Sequence, residues 1–214
     1  MTPDRFLELT KKVLRIPFRL PNYIRLKNKN FTLIAKDCTG GLLLHELFQR
    51  FDTPTINACF HAGDFVKFCR NMKFYLSQEL KECTLPDIAF PVGSLGEAEN
   101  KVMIYFLHYD SFIHAKQKWD ERCTRIHWNN LFFLMTDGTG CDYETAREFD
   151  SLPYEHKALL TYRDLPNIKS AVKLNVVKLL SEQGLGAPDV FAFKSKLSMK
   201  RVIDDWDYVG FLNS

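Results

Sequence analysis

The sequence predicts an α/β fold, a three-layer α/β/α arrangement built on a mostly parallel, Rossmann-like sheet. Three observations predict it. Short runs such as Phe31-Thr32-Leu33-Ile34-Ala35 and Leu131-Phe132-Phe133-Leu134-Met135 are apolar on both faces, as strands covered from both sides are. Amphipathic helical stretches alternate with these runs, which is the pattern of βαβ units. Glycine-bearing turns, Cys38-Thr39-Gly40-Gly41 and Asp137-Gly138-Thr139-Gly140-Cys141, follow two of the runs where a strand would hand over to a helix.

In chain order, residues 1–28 read as a basic arm or helix. Phe6, Leu9, Val13, Leu14 and Phe18 recur at near-helical spacing among Lys11, Lys12, Arg15 and Arg19. Residues 29–214 read as a single α/β domain with an irregular C-terminal tail. The first strand covers 31–35, and a helix follows the two glycines through Leu42-Leu43-Leu44-His45-Glu46-Leu47-Phe48. Residues 53–60 read as a second strand. Residues 63–81 read as one helix, capped by Asp64, with a stripe of Phe65, Phe68, Met72, Tyr75, Leu76 and Leu80. Residues 88–93 read as an edge strand among Pro and Gly, and 101–109 as a strong strand. Ser111 caps a helix reaching about residue 126. Strands at 130–136 and 156–162 flank a short helix over 142–149, and 170–177 reads as one more strand. The tail from residue 180 is less regular, with an acidic-aromatic end of Trp206, Tyr208 and Phe211 that docks on the domain.

Composition bounds the function classes. The 214 residues are 46% hydrophobic and 26% charged, as in a folded globular chain. No apolar run reaches the about 18 residues a membrane-spanning helix needs, and the charged start lacks a secretory signal. Six cysteines, with no CxxC pair, fit no zinc signature and point to a reducing cytoplasm. The net charge of +3 is uneven: residues 1–36 carry nine Lys/Arg against two acids, a net +7. Nucleic acid is disfavoured because the remainder is acidic and holds no recognition motif. Two readings of the arm stay open: a peripheral contact with lipid headgroups at the inner membrane surface, or packing on the chain's own domain.

In open α/β sheets ligands sit beyond the carboxyl ends of strands, which selects the candidate residues. Asp37 is a candidate base or a turn-forming cap. Cys38, at a helix start, is a candidate thiolate, with His45 or His108 as its base. Gly40 and Gly41 let a ligand approach the backbone of the helix start. Arg122 and Arg125 share a helix with Trp119 and form a candidate phosphate clamp. Asp137 is a candidate for a sugar hydroxyl, or for a divalent metal with Asp142. Lys36, Asn57 and Tyr109 complete the substrate-binding set. No cofactor motif is present, since neither glycine turn is a P-loop or a G-x-G-x-x-G.

Together several segments resemble a known family. They are the strand at 30–34 with the Gly-Gly turn behind it, Thr53-Pro54-Thr55-Ile56-Asn57, Phe106-Leu107-His108-Tyr109, Trp119-Asp120-Glu121-Arg122 before Arg125-Ile126, and Phe149-Asp150-Ser151-Leu152-Pro153-Tyr154 before Lys157. This set, over about residues 28–210, resembles the bacterial domain-of-unknown-function family nineteen-nineteen, described as exopolysaccharide biosynthesis protein. The family usually carries an aromatic residue where Thr39 stands and often Asn near Asp37. The resemblance implies a role close to cell-surface polysaccharide synthesis.

The expectation is therefore a cytoplasmic glycosyl or other group transferase acting on an activated or phosphorylated sugar-like substrate. Two alternatives stand beside it: a non-catalytic sugar- or protein-binding partner of the polysaccharide machinery, and a Cys-His acyltransferase or hydrolase. The oligomeric state is open.

Overall fold

A computed structural model describes residues 14–176, 179–180, 184–195 and 198–214. Its centre is a four-stranded, all-parallel sheet in the order β1 (Thr32–Ala35), β5 (Leu131–Thr136), β6 (Lys157–Thr161), β7 (Ala171–Lys173). Side chains alternate across it. Ile34, Phe133, Met135 and Leu159 point into one core. Leu33, Ala35, Phe132, Leu134, Ala158 and Leu160 point into the other. This two-faced burial is why the strands read as unbroken apolar runs.

The first core is closed by α3 (Ala62–Arg70), α4 (Met72–Ser77), α5 (Phe112–Cys123) and α6 (Tyr143–Asp150). The second is closed by α2 (Thr39–Glu46), the short helix α7 (Ala187–Val190), a 3-10 turn over Val202–Asp205 and α8 (Tyr208–Asn213). These layers make a three-layer α/β/α fold. The tail therefore covers one sheet face together with α2, although its sequence shows little periodicity.

Several expectations are corrected. Residues 53–60 form turns, not a strand, apart from one antiparallel bridge between Cys59 and Tyr105. The hydroxyls of Thr53 and Thr55 bond each other at 3.1 Å, and Thr55 also accepts the Ala35 N–H. Side chains thus take the bonds a ladder would use, and Asn57 turns into the left-handed region at φ 58°. The long helix over 63–81 is two helices broken at Asn71 (φ −131°, ψ 41°). Its N-cap position is His61, while Asp64 accepts the Met103 N–H at 3.1 Å. The strand expected at 88–93 is β3 (Val92–Leu95), which is central rather than an edge. It pairs antiparallel with β2 (Lys81–Cys83) and β4 (Val102–Tyr105) in a separate sheet. The β3–β4 connection is too short for a parallel crossover, so the strong strand expected over 101–109, which spans only Val102–Tyr105, pairs antiparallel with β3 in the small sheet. Ser111 caps α5 as expected, but the helix ends at Cys123. Of 170–177 only Ala171–Lys173 is strand, and Val177 lies outside the described residues, as do Phe6, Leu9, Lys11, Lys12 and Val13 of the arm.

The described part of the arm is the helix α1 (Ile16–Arg25). It is anchored by Arg15, whose guanidinium donates to Glu46 at 2.8 Å, to Asp204 at 2.9 Å and to the Met199 carbonyl at 2.6 Å. Arg201 donates to the other Glu46 oxygen at 2.9 Å. Burial opposes the charge on Arg15, but the bonds to Asp204 and Glu46 win and hold its pKa above the ordinary value. Glu46 is thus a buried carboxylate shared by the buried Arg15 and the partly buried Arg201. Glu46→Ala should lower the unfolding free energy in urea by about 3–5 kcal/mol, the usual cost of breaking a buried pair from one side. A change under about 1 kcal/mol would show that the network is not what anchors α1.

Candidate functional site

The neighbouring strands β1, at the edge of the sheet, and β5 send their chains to opposite faces. After β1 the chain enters α2 on the second-core face, and after β5 it enters α6 on the first-core face. A crevice opens where such connections part. A cleft of about 910 Å³ lies there, at the carboxyl ends of the strands. That size suits a small-molecule ligand.

Its floor is the β1–α2 turn. Asp37 is buried, and both its oxygens are engaged: Oδ1 accepts the Thr39 N–H at 2.9 Å and Oδ2 accepts the Thr136 hydroxyl at 2.6 Å. From the position before the N-cap Cys38 it satisfies the first N–H of α2, and it ties β1 to β5. Gly40 has no room for a Cβ, which would fall 2.3 Å from that of Ala35. It sets how closely α2 lies on the strand and faces away from the cleft. Gly41 does line the cleft, with Ile56 and Asn57 opposite.

The walls are Leu42, Phe51, Leu107 and Phe191, and the polar groups facing in are His45, Asn57 and His108. His45 projects from α2 and is exposed. His108 stands on the loop between β4 and α5, so the small antiparallel sheet brings it to the edge of the parallel one. Asn57 and Thr139, on opposite sides, both hold positive φ, 58° and 49°. A β-branched residue there is strained by about 1–3 kcal/mol, and such strain concentrates at functional sites.

Cys38 and Cys59 also line the cleft. Burial first, and then the Asp37 charge, push the Cys38 thiol up to about 12 and the Cys59 thiol to about 11. The expected thiolate is therefore a protonated thiol at neutral pH.

Asp37, Cys38, Gly41, His45, Asn57 and His108 thus come together, and the other candidates stand elsewhere. Lys36 is buried behind the floor and donates to the Gly138 carbonyl. Arg122 donates to the Tyr109 hydroxyl at 2.7 Å and to the Ile56 carbonyl at 3.4 Å. Those two residues brace the turn that carries Asn57 from behind. Arg125 pairs with Glu121 and the Phe51 carbonyl, so the two arginines form no clamp in the cleft. Asp137 accepts from the Thr161 hydroxyl, from Arg163 at 3.1 Å and from the Leu185 N–H at 3.3 Å. Asp142 caps α6 by accepting the Thr145 N–H at 2.8 Å. Both carboxylates of the expected metal pair are committed to structure, and among the described residues no cluster of three His, Cys, Asp or Glu could hold a metal. Gly138 is a packing glycine as well, since its Cβ would meet the Leu185 carbonyl at 2.5 Å.

The sequence reading missed Phe51, Cys59, Leu107, residues 186–188 and Phe191. The one signal in the tail was the Gly184-Leu185-Gly186-Ala187-Pro188 punctuation, which marks a close approach of backbone.

A family model described as Domain of unknown function (DUF1919) matches residues 9–213. The chain belongs to this family. An uncharacterised protein of Haemophilus influenzae is 34% identical over 189 residues, covering 88% of this chain and 87% of the relative. In this DUF1919 chain every residue lining the cleft lies inside the matched span.

The thiol shifts give a direct check. Raised pKa values keep Cys38 and Cys59 protonated to higher pH in the folded chain than the ordinary 9.0. At pH 8.5 both should alkylate at least about tenfold more slowly in the native protein than in urea, because only the thiolate reacts. Native rates that match or exceed the urea rates would restore the nucleophile reading.

Proposed function

We propose that this protein is a group-transfer enzyme of cell-surface polysaccharide synthesis that takes a sugar-like substrate in the cleft. The observation that carries the reading is the cleft itself: His45, His108 and Asn57 line it together with the apolar Leu42, Phe51, Leu107 and Phe191, where the β1 and β5 connections part. Imidazole and carboxamide groups are donors and acceptors for hydroxyls. The apolar walls suit the carbon face of a sugar ring, as in most small-molecule sites. The polysaccharide setting is what the resemblance of the sequence motifs implies; the family model that matches is described only as a domain of unknown function.

The chemistry narrows by elimination. Asp37 spends both oxygens on the scaffold, and the thiols keep their protons. Arg122 and Arg125 do not reach the cleft, so a substrate phosphate would meet the start of α2 and the imidazoles instead. That leaves His108 or His45 to take the proton of an acceptor hydroxyl as its oxygen bonds the anomeric carbon of the activated sugar, while that carbon's bond to the activating phosphate breaks and the phosphate leaves with the electron pair. The same elimination favours one second reading, a non-catalytic sugar-binding protein, because it leaves few groups able to move a proton.

A thermal-shift panel of nucleotide sugars, sugar phosphates and free sugars tests binding, since a ligand of the native state raises the midpoint with occupancy. We expect a dose-dependent rise that Asn57→Ala weakens. With that ligand and an acceptor, replacing the histidine that acts as base, by His108→Ala or His45→Ala, should cut turnover by about 10²–10⁴-fold, far more than it weakens the rise. A rise without turnover in the wild type would select the binding protein, and no rise with any compound would remove the sugar reading.

A further inference from the structure

Helix α1 is amphipathic the wrong way round for a helix packed on its own domain. Its polar stripe faces inward. Arg15, Arg19 and Asn22, spaced as one helix face, bond to Glu46 and Asp204, to the His45 and Glu46 carbonyls, and to the Tyr208 hydroxyl. Its apolar stripe faces outward. Ile16, Leu20 and Ile24, at i, i+4 and i+8, are 47%, 49% and 61% exposed, and Leu14 beside them is 53% exposed. None of the ten residues of α1 is buried. The buried ion network holds this orientation, so the helix cannot roll its apolar stripe inward without unpairing Arg15.

We propose that the outward face of α1 docks the protein on an anionic lipid surface, with the helix lying in the plane of the headgroups. The charge around the face fits that occupant. Residues 14–29 hold five cations and no anion. Arg15 and Arg19 are used inward, and Arg25 pairs with Asp207 at 2.9 Å. The exposed Lys27 and Lys29 remain at the end of the helix with no carboxylate bonded to them among the described residues. Burial, and then Lys27, lower the pKa of Lys29, as expected of two neighbouring cations. Lys29 sits 4.0 Å over the half-exposed Tyr23 ring, an apolar body with a polar tip of the sort that favours a headgroup boundary. An apolar stripe flanked by lysines is the pattern of an interfacial helix.

A second copy of the chain fits less well. A ten-residue helix is about 15 Å long and about 10 Å wide, well short of the roughly 800 Å² each partner of a stable complex contributes. No helix among the described residues is long and apolar enough to cross a membrane. Through Arg19, α1 is bonded to the backbone of His45, a cleft residue. The contact itself stands apart from the chemistry of the cleft.

Co-sedimentation of the full chain tests it, with vesicles of phosphatidylcholine alone and vesicles containing phosphatidylglycerol. We expect binding to the anionic vesicles at low salt, weakening as salt screens the lysines. The double variant Leu20→Glu with Ile24→Glu should lose at least about tenfold in partition at an unchanged thermal midpoint, because its positions lie in solvent. Ile24→Glu alone serves if the double variant does not fold. Lys27→Glu with Lys29→Glu should remove the preference for anionic lipid. Two results overturn the proposal: wild-type protein that stays in solution with both vesicles, or glutamates that convert a dimer to a monomer without changing vesicle partition. The ligand-induced thermal shift of the cleft is read without vesicles, so failure of one proposal leaves the other standing.

Discussion

The hydrogen bond between Asp37 and Thr136 holds together the ends of two strands whose chains then separate. β1 and β5 pair in register, and at their carboxyl ends the 2.6 Å bond joins the turn of one to the last residue of the other. Behind it, the absence of a side chain at Gly40 lets α2 drop onto Ala35 on one face. The chain leaving β5 crosses to the opposite face. The cleft is the space between those departures. Its polar rim is assembled from distant pieces: His45 from α2, Asn57 from a turn braced by Arg122 and Tyr109, and His108 from the small sheet. A carboxylate that reads as catalytic at the strand end thus serves the scaffold, and the groups free to act are the imidazoles.

Legibility followed the range of the interactions. β1, β5 and β6 were visible because burial on two faces leaves an apolar run with nothing else competing for it. The β1–α2 turn was visible for the same reason, and with it Asp37, Cys38, Gly41 and His45. The strand at 102–105 was visible as a strand, but its sheet was not, since partner choice depends on the short link to β3. Residues 53–60 misled because threonines rank as strand formers, whereas here their hydroxyls replace ladder bonds. Arg122 and Arg125 show the limit most plainly. Spacing placed them on one helix, but only the tertiary fold shows that Arg122 points at the back of the Asn57 turn. Phe191 enters the cleft from the far end of the chain with no local signal.

The terminal segments depend on each other. The tail covers the second face of the sheet together with α2, and α1 lies over both, through Asn22–Tyr208 and Arg25–Asp207 to the tail and through the Glu46 network to α2. The acidic residues near the end of the chain therefore answer the cations near its beginning, which the uneven charge distribution hinted at. Satisfying those cations inward leaves the helix's apolar stripe outside. The basic arm is consequently neither a plain solvated helix nor a plain packed one.

The central claim is that the crevice between the β1 and β5 connections is where this protein meets its ligand. The most direct measurement is a crystal structure of the protein soaked with whichever compound raises its thermal midpoint most. The account predicts ordered density between His108, Asn57 and His45, against Phe51 and Phe191. Density instead in the groove between α1 and the tail, about 500 Å³ beside Arg25, Lys200 and Trp206, with the cleft empty, would contradict it.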